Sequence, residues 1–148
     1  MISKAQLIAD LRQELAKTKQ SGERLRAFMD SSPAVEWMKH DQGRYVCVNK
    51  TFENLFRISF EDRHGKTDSE VWPPEIAERF QENDRAVLMS GKEIETIRDV
   101  PAPGMTRFTW KSFKFPFVDS SGNQYVGGGL IGAGCPAHSQ SSAVIEEG

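Results

Sequence analysis

One carboxylate sits where a core residue is expected. Between Pro74 and Ser90 the apolar residues Ile76, Ala77, Phe80, Val87 and Leu88 mark one side of a helix. Asp84 falls on that same side, four residues from both Phe80 and Leu88. A carboxylate facing a core must find donors or lose its charge. Two uses are open to it. It can be a brace that hydrogen-bonds helix to loop, as the pairing of buried polar groups requires. It can instead anchor a ligand in a cavity, where an acceptor-only group rewards a ligand that carries a donor.

Other reactive residue types are scattered. His40-Asp41 superficially resembles a phosphoacceptor histidine beside an acid, but it falls in a strand-turn segment. His64 lies in the charged run Glu61-Asp62-Arg63-His64, and both imidazoles read as solvated. Cys47 stands between Val46 and Val48, the setting of a buried inert thiol. Cys135-Pro136-Ala137-His138 offers one thiol and one imidazole, too few for a tetrahedral zinc site. Gly127, Gly129 and Gly132 have the spacing of a dinucleotide-binding loop after a strand. Cys135-Pro136 and a polar tail follow, however, and no helix opens there to meet a pyrophosphate. Those glycines read as strand curvature or as close approach of a neighbouring element. No spacing groups an acid with a histidine or nucleophile as hydrolysis needs, so no enzyme is expected.

Three zones must position these residues. Residues 1–29 hold one helix, in which only Gly22 interrupts a run of good helix formers. Ile8, Leu11, Leu15, Thr18, Gly22, Leu25 and Met29 follow an alternating three–four spacing, a heptad seam with two weak positions. Glu14 and Lys19 then occupy the flanking positions that bridge partners in a parallel dimer. Either this helix forms a coiled coil or it folds back on its own domain.

Residues 30–134 alternate as a mixed domain should. Ser31-Ser32-Pro33 ends the helix. Strands are predicted over Ala34 to His40 and Arg44 to Val48, joined by Asp41-Gln42-Gly43. Asn49 can cap a helix carrying Phe52, Leu55 and Phe56, and Thr67 with Glu70 reads as a capping box. A helix runs from Pro74 to Ser90 and stops at Gly91. Strands follow over Glu93 to Val100, Thr106 to Val118 and Gln124 to Ile131. The order implies an α+β domain, a five-stranded antiparallel sheet with helices on one face. In the long strand Trp110 and Ser112 take one parity and Phe113, Phe115 and Phe117 the other, so both faces are partly apolar. The second face needs its own cover, from the N-terminal helix or another subunit. Residues 135–148 are polar and Ser-rich, and are expected to be disordered.

Composition narrows the function classes. A chain of 148 residues at 38% hydrophobic can bury one core and carry an appendage. A net charge of −2 gives no electrostatic reason to expect nucleic acid or an anionic membrane as partner. No apolar run approaches the roughly 20 residues that span a bilayer, and the N-terminus lacks the apolar core of a signal peptide. Two distant cysteines make no disulfide framework. A soluble, cytoplasmic protein is expected.

The ordered set of motifs resembles the PAS family of sensory domains. It comprises Phe28 with Ser31-Ser32-Pro33, Gly43 through Asn49, Phe52 through Phe56, and Gly65-Lys66-Thr67-Asp68. Pro73-Pro74, Gly91-Lys92, Lys114-Phe115-Pro116 and Asp119 through Gly122 complete it. The likeness is closest to the bacterial branch with Gly-Lys-Thr-Asp and Pro-Pro-Glu segments. It implies a five-stranded antiparallel sheet curved around helices, which holds a small molecule or stays empty and signals through terminal helices. Sensor histidine kinases and related two-component proteins carry such domains.

Two departures qualify that expectation. Gly132-Ala133-Gly134 stands where the family usually has an Asp-containing triplet leading into an output helix, and no catalytic domain follows. The chain is therefore either a complete protein that signals through its N-terminal helix or a docked partner, or a sensor fragment of a larger protein. Haem in this family is usually held by a histidine on the long helix, and Pro74 to Ser90 has none. The photoactive flavin branch needs an Asn-Cys-Arg segment, which is absent. Haem and flavin are thus disfavoured, no cofactor is identified, and an unknown small organic ligand is the open possibility. Trp37, Phe52, Phe56, Trp72, Phe80, Asp84 and Trp110 are the candidate cavity residues, with Phe113 and Phe115 as further aromatic walls. The expected partners are a second copy of the chain and an output signalling protein. A ligand-free dimerisation domain of the same fold is the alternative.

Overall fold

A serine starts the first helix. Ser3 Oγ accepts from the Gln6 N–H at 3.1 Å, and α1 runs Lys4–Ser31. It ends where Ser32 turns extended before Pro33. In this computed structural model, which describes residues 1–99 and 109–132, no residue of α1 is buried.

A hairpin follows, β1 (Val35–His40) with β2 (Tyr45–Val48), in antiparallel register with Trp37 opposite Val48. The helices come next: α2 (Lys50–Phe56), α3 (Phe60–Arg63), α4 (Asp68–Val71) and α5 (Pro74–Ser90). Glu70 closes the expected α4 start by accepting from the N–H and hydroxyl of Thr67. Gly91, at φ 66°, supplies the left-handed cap that stops α5. The remaining strands are β3 (Ile94–Asp99), β4 (Thr109–Val118) and β5 (Gln124–Gly132). The sheet order is β2-β1-β5-β4-β3 with every pair antiparallel. The expected ends at Val100 and Thr106, and the segment 135–148 with Cys135 and His138, lie outside the described residues.

Strand parity sorts the side chains. Val35, Trp37 and Lys39 of β1, Trp110, Ser112 and Lys114 of β4, and Val126 and Leu130 of β5 face the helices and are buried. Phe113, Phe115 and Phe117 take the other face, where Phe117 stacks on Tyr125 at 5.0 Å. Phe113 and Phe115 therefore do not wall a cavity under the helices. The strand alternation sends them to the opposite side.

The glycines of β5 clear space on both faces. A Cβ on Gly128 would stand 2.5 Å from Trp37 Cζ2, and one on Gly129 2.5 Å from Phe113 Cζ. Trp37, Gly128 and Lys114 are direct neighbours across three strands. The Trp37 indole can therefore lie over β5 toward Lys114 only because position 128 has no side chain.

Candidate functional site

Between the sheet and α2, α4 and α5 lies a cavity with about 400 Å³ of space among its lining atoms. Its apolar wall is Trp37, Phe52, Phe56, Trp72, Phe80 and Leu130, and its polar wall is Lys39, Tyr45, Ser112 and Lys114. The aromatic rings meet edge to face. Phe52 and Phe56 are 5.0 Å apart, Phe56 and Trp72 5.0 Å, and Trp72 and Phe80 5.7 Å. Each such pair stabilises by about 0.5–1.5 kcal/mol beyond area burial. Much of the space is narrow crevice or open to solvent, and the room wide enough for water holds about one or two molecules.

Of the expected cavity residues, the structure brings together Trp37, Phe52, Phe56, Trp72 and Phe80. Trp110 is buried in the same core cluster but does not line the cavity. Asp84 is buried on the inner side of α5, and its neighbours are strand lysines rather than a loop. Its Oδ2 accepts from Lys39 Nζ at 2.8 Å and its Oδ1 from Lys114 Nζ at 2.6 Å.

The two lysines extend the network. Lys39 Nζ also donates to Asp68 Oδ2 at 2.6 Å. Tyr45 Oη donates to Asp68 Oδ1 at 2.8 Å and accepts from Trp72 Nε1 at 3.0 Å. Lys114 Nζ donates to the Phe80 carbonyl at 3.2 Å. One polar chain thus runs from α4 through β2 and β1 to α5 and β4. Two ammonium groups and two carboxylates share it, all four residues buried.

Each group responds to that setting. Burial pulls the Lys39 ammonium down, but Tyr45, Asp68 and Asp84 outweigh it and hold Lys39 well above the usual lysine range. Burial raises the Tyr45 phenol, and Lys39 offsets only part of this. Burial also works against the Asp84 carboxylate, yet Lys39 and Lys114 keep it below its usual value. Lys114 loses most. Burial and the neighbouring Lys39 charge push it down to about 8, against the pull of Asp84.

Sequence reasoning missed Lys39, Tyr45, Asp68, Ser112, Lys114 and Leu130. A signal was present for the lysines, because both occupy inward parity on strands whose other inward residues are apolar or small.

A second junction ties this site to α1. Asn49, fully buried, caps α2 by accepting from the Phe52 N–H at 3.0 Å. The same oxygen accepts from the Glu36 N–H at 3.0 Å. Its Nδ2 donates to the carbonyls of Met29 at 2.9 Å and Ala34 at 2.8 Å. Asp30 accepts from the Lys50 N–H at 2.9 Å, and Thr51 donates to the Ser32 carbonyl at 2.6 Å. The helix that carries Phe52 and Phe56 is therefore bolted to the last turn of α1. Cys47 joins this region, accepting at Sγ from Arg26 Nη1 at 3.0 Å, and its half-burial raises the thiol.

Among the described residues no helix is long and apolar enough to cross a membrane. A family model described as the PAS fold matches residues 29–132. No curated protein sequence matches the chain. Among solved structures, the PAS domain of Bordetella pertussis BvgS superposes with TM-score 0.66 at 20% identity, covering 86% of this chain and 97% of that one. The Vibrio cholerae VqmA dimer solved without target DNA gives 0.65 at 24% identity, over 76% of this chain and 51% of that one. VqmA bound to DPO gives 0.65 at 24%, over 78% and 60%. The chain thus spans nearly all of the BvgS domain but only 51% to 60% of the VqmA chains.

Proposed function

Because the chain belongs to the PAS fold family, we propose that it is a cytoplasmic sensor module without catalytic activity of its own. A small organic molecule occupies the cavity, and occupancy is passed to an output partner through α1 helices paired in a homodimer. The observation that carries this reading is Asn49. Its one side chain caps the helix bearing Phe52 and Phe56 and holds the Met29 carbonyl in α1. A ligand that displaces either ring tilts α2 and strains that bond. The VqmA relative, solved as a dimer and with DPO bound, lends the reading support at the level of fold.

The ligand we propose is neither haem nor flavin. Helix α5 carries no histidine, and the chain has no Asn-Cys-Arg segment. A net charge of −2 favours a protein over a nucleic acid as the output partner.

A ligand-free dimerisation domain remains the second reading, favoured by the narrowness of the cavity. Native mass spectrometry of freshly purified protein, with hydrogen exchange of Ala27 to Ser31, separates the two. The sensor reading expects added mass from a carried metabolite and faster exchange in that last turn once it is removed. It also expects Asn49→Ala to abolish the difference. Unliganded protein whose exchange no added compound alters would establish the ligand-free reading.

A further inference from the structure

Trp37 is buried, with 8% of its surface exposed, and it lines the cavity. Its Nε1 has no hydrogen-bond partner among the described residues. The other nitrogen donors on the same wall are engaged, and Ser112 adds a hydroxyl that can either donate or accept. Trp72 Nε1 reaches Tyr45, Lys39 reaches Asp68 and Asp84, and Lys114 reaches Asp84 and the Phe80 carbonyl. A buried donor left unpaired is a standing cost that native structures rarely retain without a use. Position 128 is kept free of a side chain against this same indole, so the ring's placement over β5 is built into the sheet.

Charge supplies the second constraint. Lys39 and Lys114 are balanced by Asp68 and Asp84, and both oxygens of each carboxylate already accept a hydrogen bond. An ionic ligand would bury a charge with no counter-charge left for it. Each Asp84 oxygen already accepts a lysine hydrogen bond, so a ligand donor there would share it with Lys39 or Lys114.

Resting on the sensor reading above, we propose that the cavity takes a small, flat, uncharged molecule that presents a hydrogen-bond acceptor to Trp37 Nε1. The edge-to-face rings of Phe52, Phe56, Trp72 and Phe80 receive its flat body. Water can meet the same donor when the ligand is away, and the ligand's acceptor replaces it. The site discriminates by leaving Trp37 unpaired under any molecule that fills the space but lacks the acceptor.

The test uses the full chain, labelled with nitrogen-15, and four probes of equal heavy-atom count: acetophenone, α-methylstyrene, indole and benzoate. The first two differ only in an acceptor oxygen exchanged for a methylene. Indole offers only a donor, and benzoate carries the acceptor with a charge. Acetophenone is expected to move the Trp37 indole N–H resonance downfield and to bind about tenfold tighter than α-methylstyrene, the factor one neutral hydrogen bond supplies. Indole and benzoate should bind more weakly than acetophenone near neutral pH. Trp37→Phe should erase the preference of acetophenone over α-methylstyrene, whatever it does to the affinity of both, and the wild-type resonance decides alone if that variant does not fold. Equal binding of acetophenone and α-methylstyrene, or tighter binding of indole or benzoate, would overturn the acceptor assignment and leave the cavity a ligand site. Four probes that all leave the cavity resonances unmoved would overturn this assignment, while the mass carried by freshly purified protein still decides the sensor reading.

Discussion

The Asp84 carboxylate is shared between two ammonium groups, and that decides what its loss would do. Asp84→Asn keeps the shape and removes the charge, leaving Lys39 and Lys114 buried against the carboxylate of Asp68 alone. Breaking a buried pair from one side costs about 3–5 kcal/mol, because the surviving charge stays uncompensated. Urea unfolding of Asp84→Asn should show a loss of that order, and a loss under about 1 kcal/mol would mean that the network does not brace the fold. The pH profile tests Lys114 itself. Its folded pKa of about 8 lies below the 10.5 of a free lysine. Between those values the unfolded chain holds a proton that the folded chain has shed, so stability rises with pH. Tyr45 acts in the opposite sense. Its folded pKa is raised above the free value of 10.0, so beyond that pH the unfolded chain deprotonates first and stability falls. Urea midpoints should therefore climb from about pH 8 to about pH 9, where the raised Cys47 thiol begins to oppose the climb, and drop beyond about pH 10. Lys114→Met should remove the climb. A flat profile in the wild type over that interval would show that Lys114 keeps its proton.

Elements were far more legible in the chain than the site they enclose. Helix α5 is Pro74–Ser90 as periodicity and its end signals predicted, because Pro at its start and Gly91 at its stop leave little freedom. The cap at Asn49 was equally readable, since an Asn between a β-branched strand and an apolar helix face has one economical use. The aromatic wall followed from the same periodicities. Its polar half did not, because lysine on a strand is ordinarily solvated and its pairing spans distant segments. Lys39 meets Asp68 and Asp84 across 29 and 45 residues. Only the closed sheet shows that these outliers neutralise one another. Trp110 illustrates the converse. Its inward parity was readable, but its row on β4, opposite Gly132 and away from Lys114, was not. The unpaired Trp37 Nε1 was also out of reach, since satisfaction of a donor depends on what arrives from every neighbouring element.

At the scale of the whole molecule, two apolar surfaces have no cover among the described residues. One is α1, where Ile8, Leu11, Leu15 and Leu25 are all exposed. The other is the outer sheet face, where Ile97, Phe115 and Ile131 are exposed beside Phe117 and Tyr125. A helix of 28 residues spans about 42 Å, and α1 is fastened to the domain only at its last turn, so the proposed homodimer would give its exposed seam a partner. A second copy offers the same seam in matching register, with Glu14 and Lys19 at the complementary flanking positions. In the proposed homodimer, junction bonds at Asn49, Asp30 and Thr51 would make the orientation of each domain a property of the helix pair. Replacing Leu11 and Leu15 together by Asp puts four carboxylates into that seam. Sedimentation should report monomers, while the indole N–H spectrum of the three tryptophans stays that of the folded core. The core should survive because neither leucine touches it. An undiminished dimer would move the interface to the aromatic sheet face and leave α1 no part in assembly.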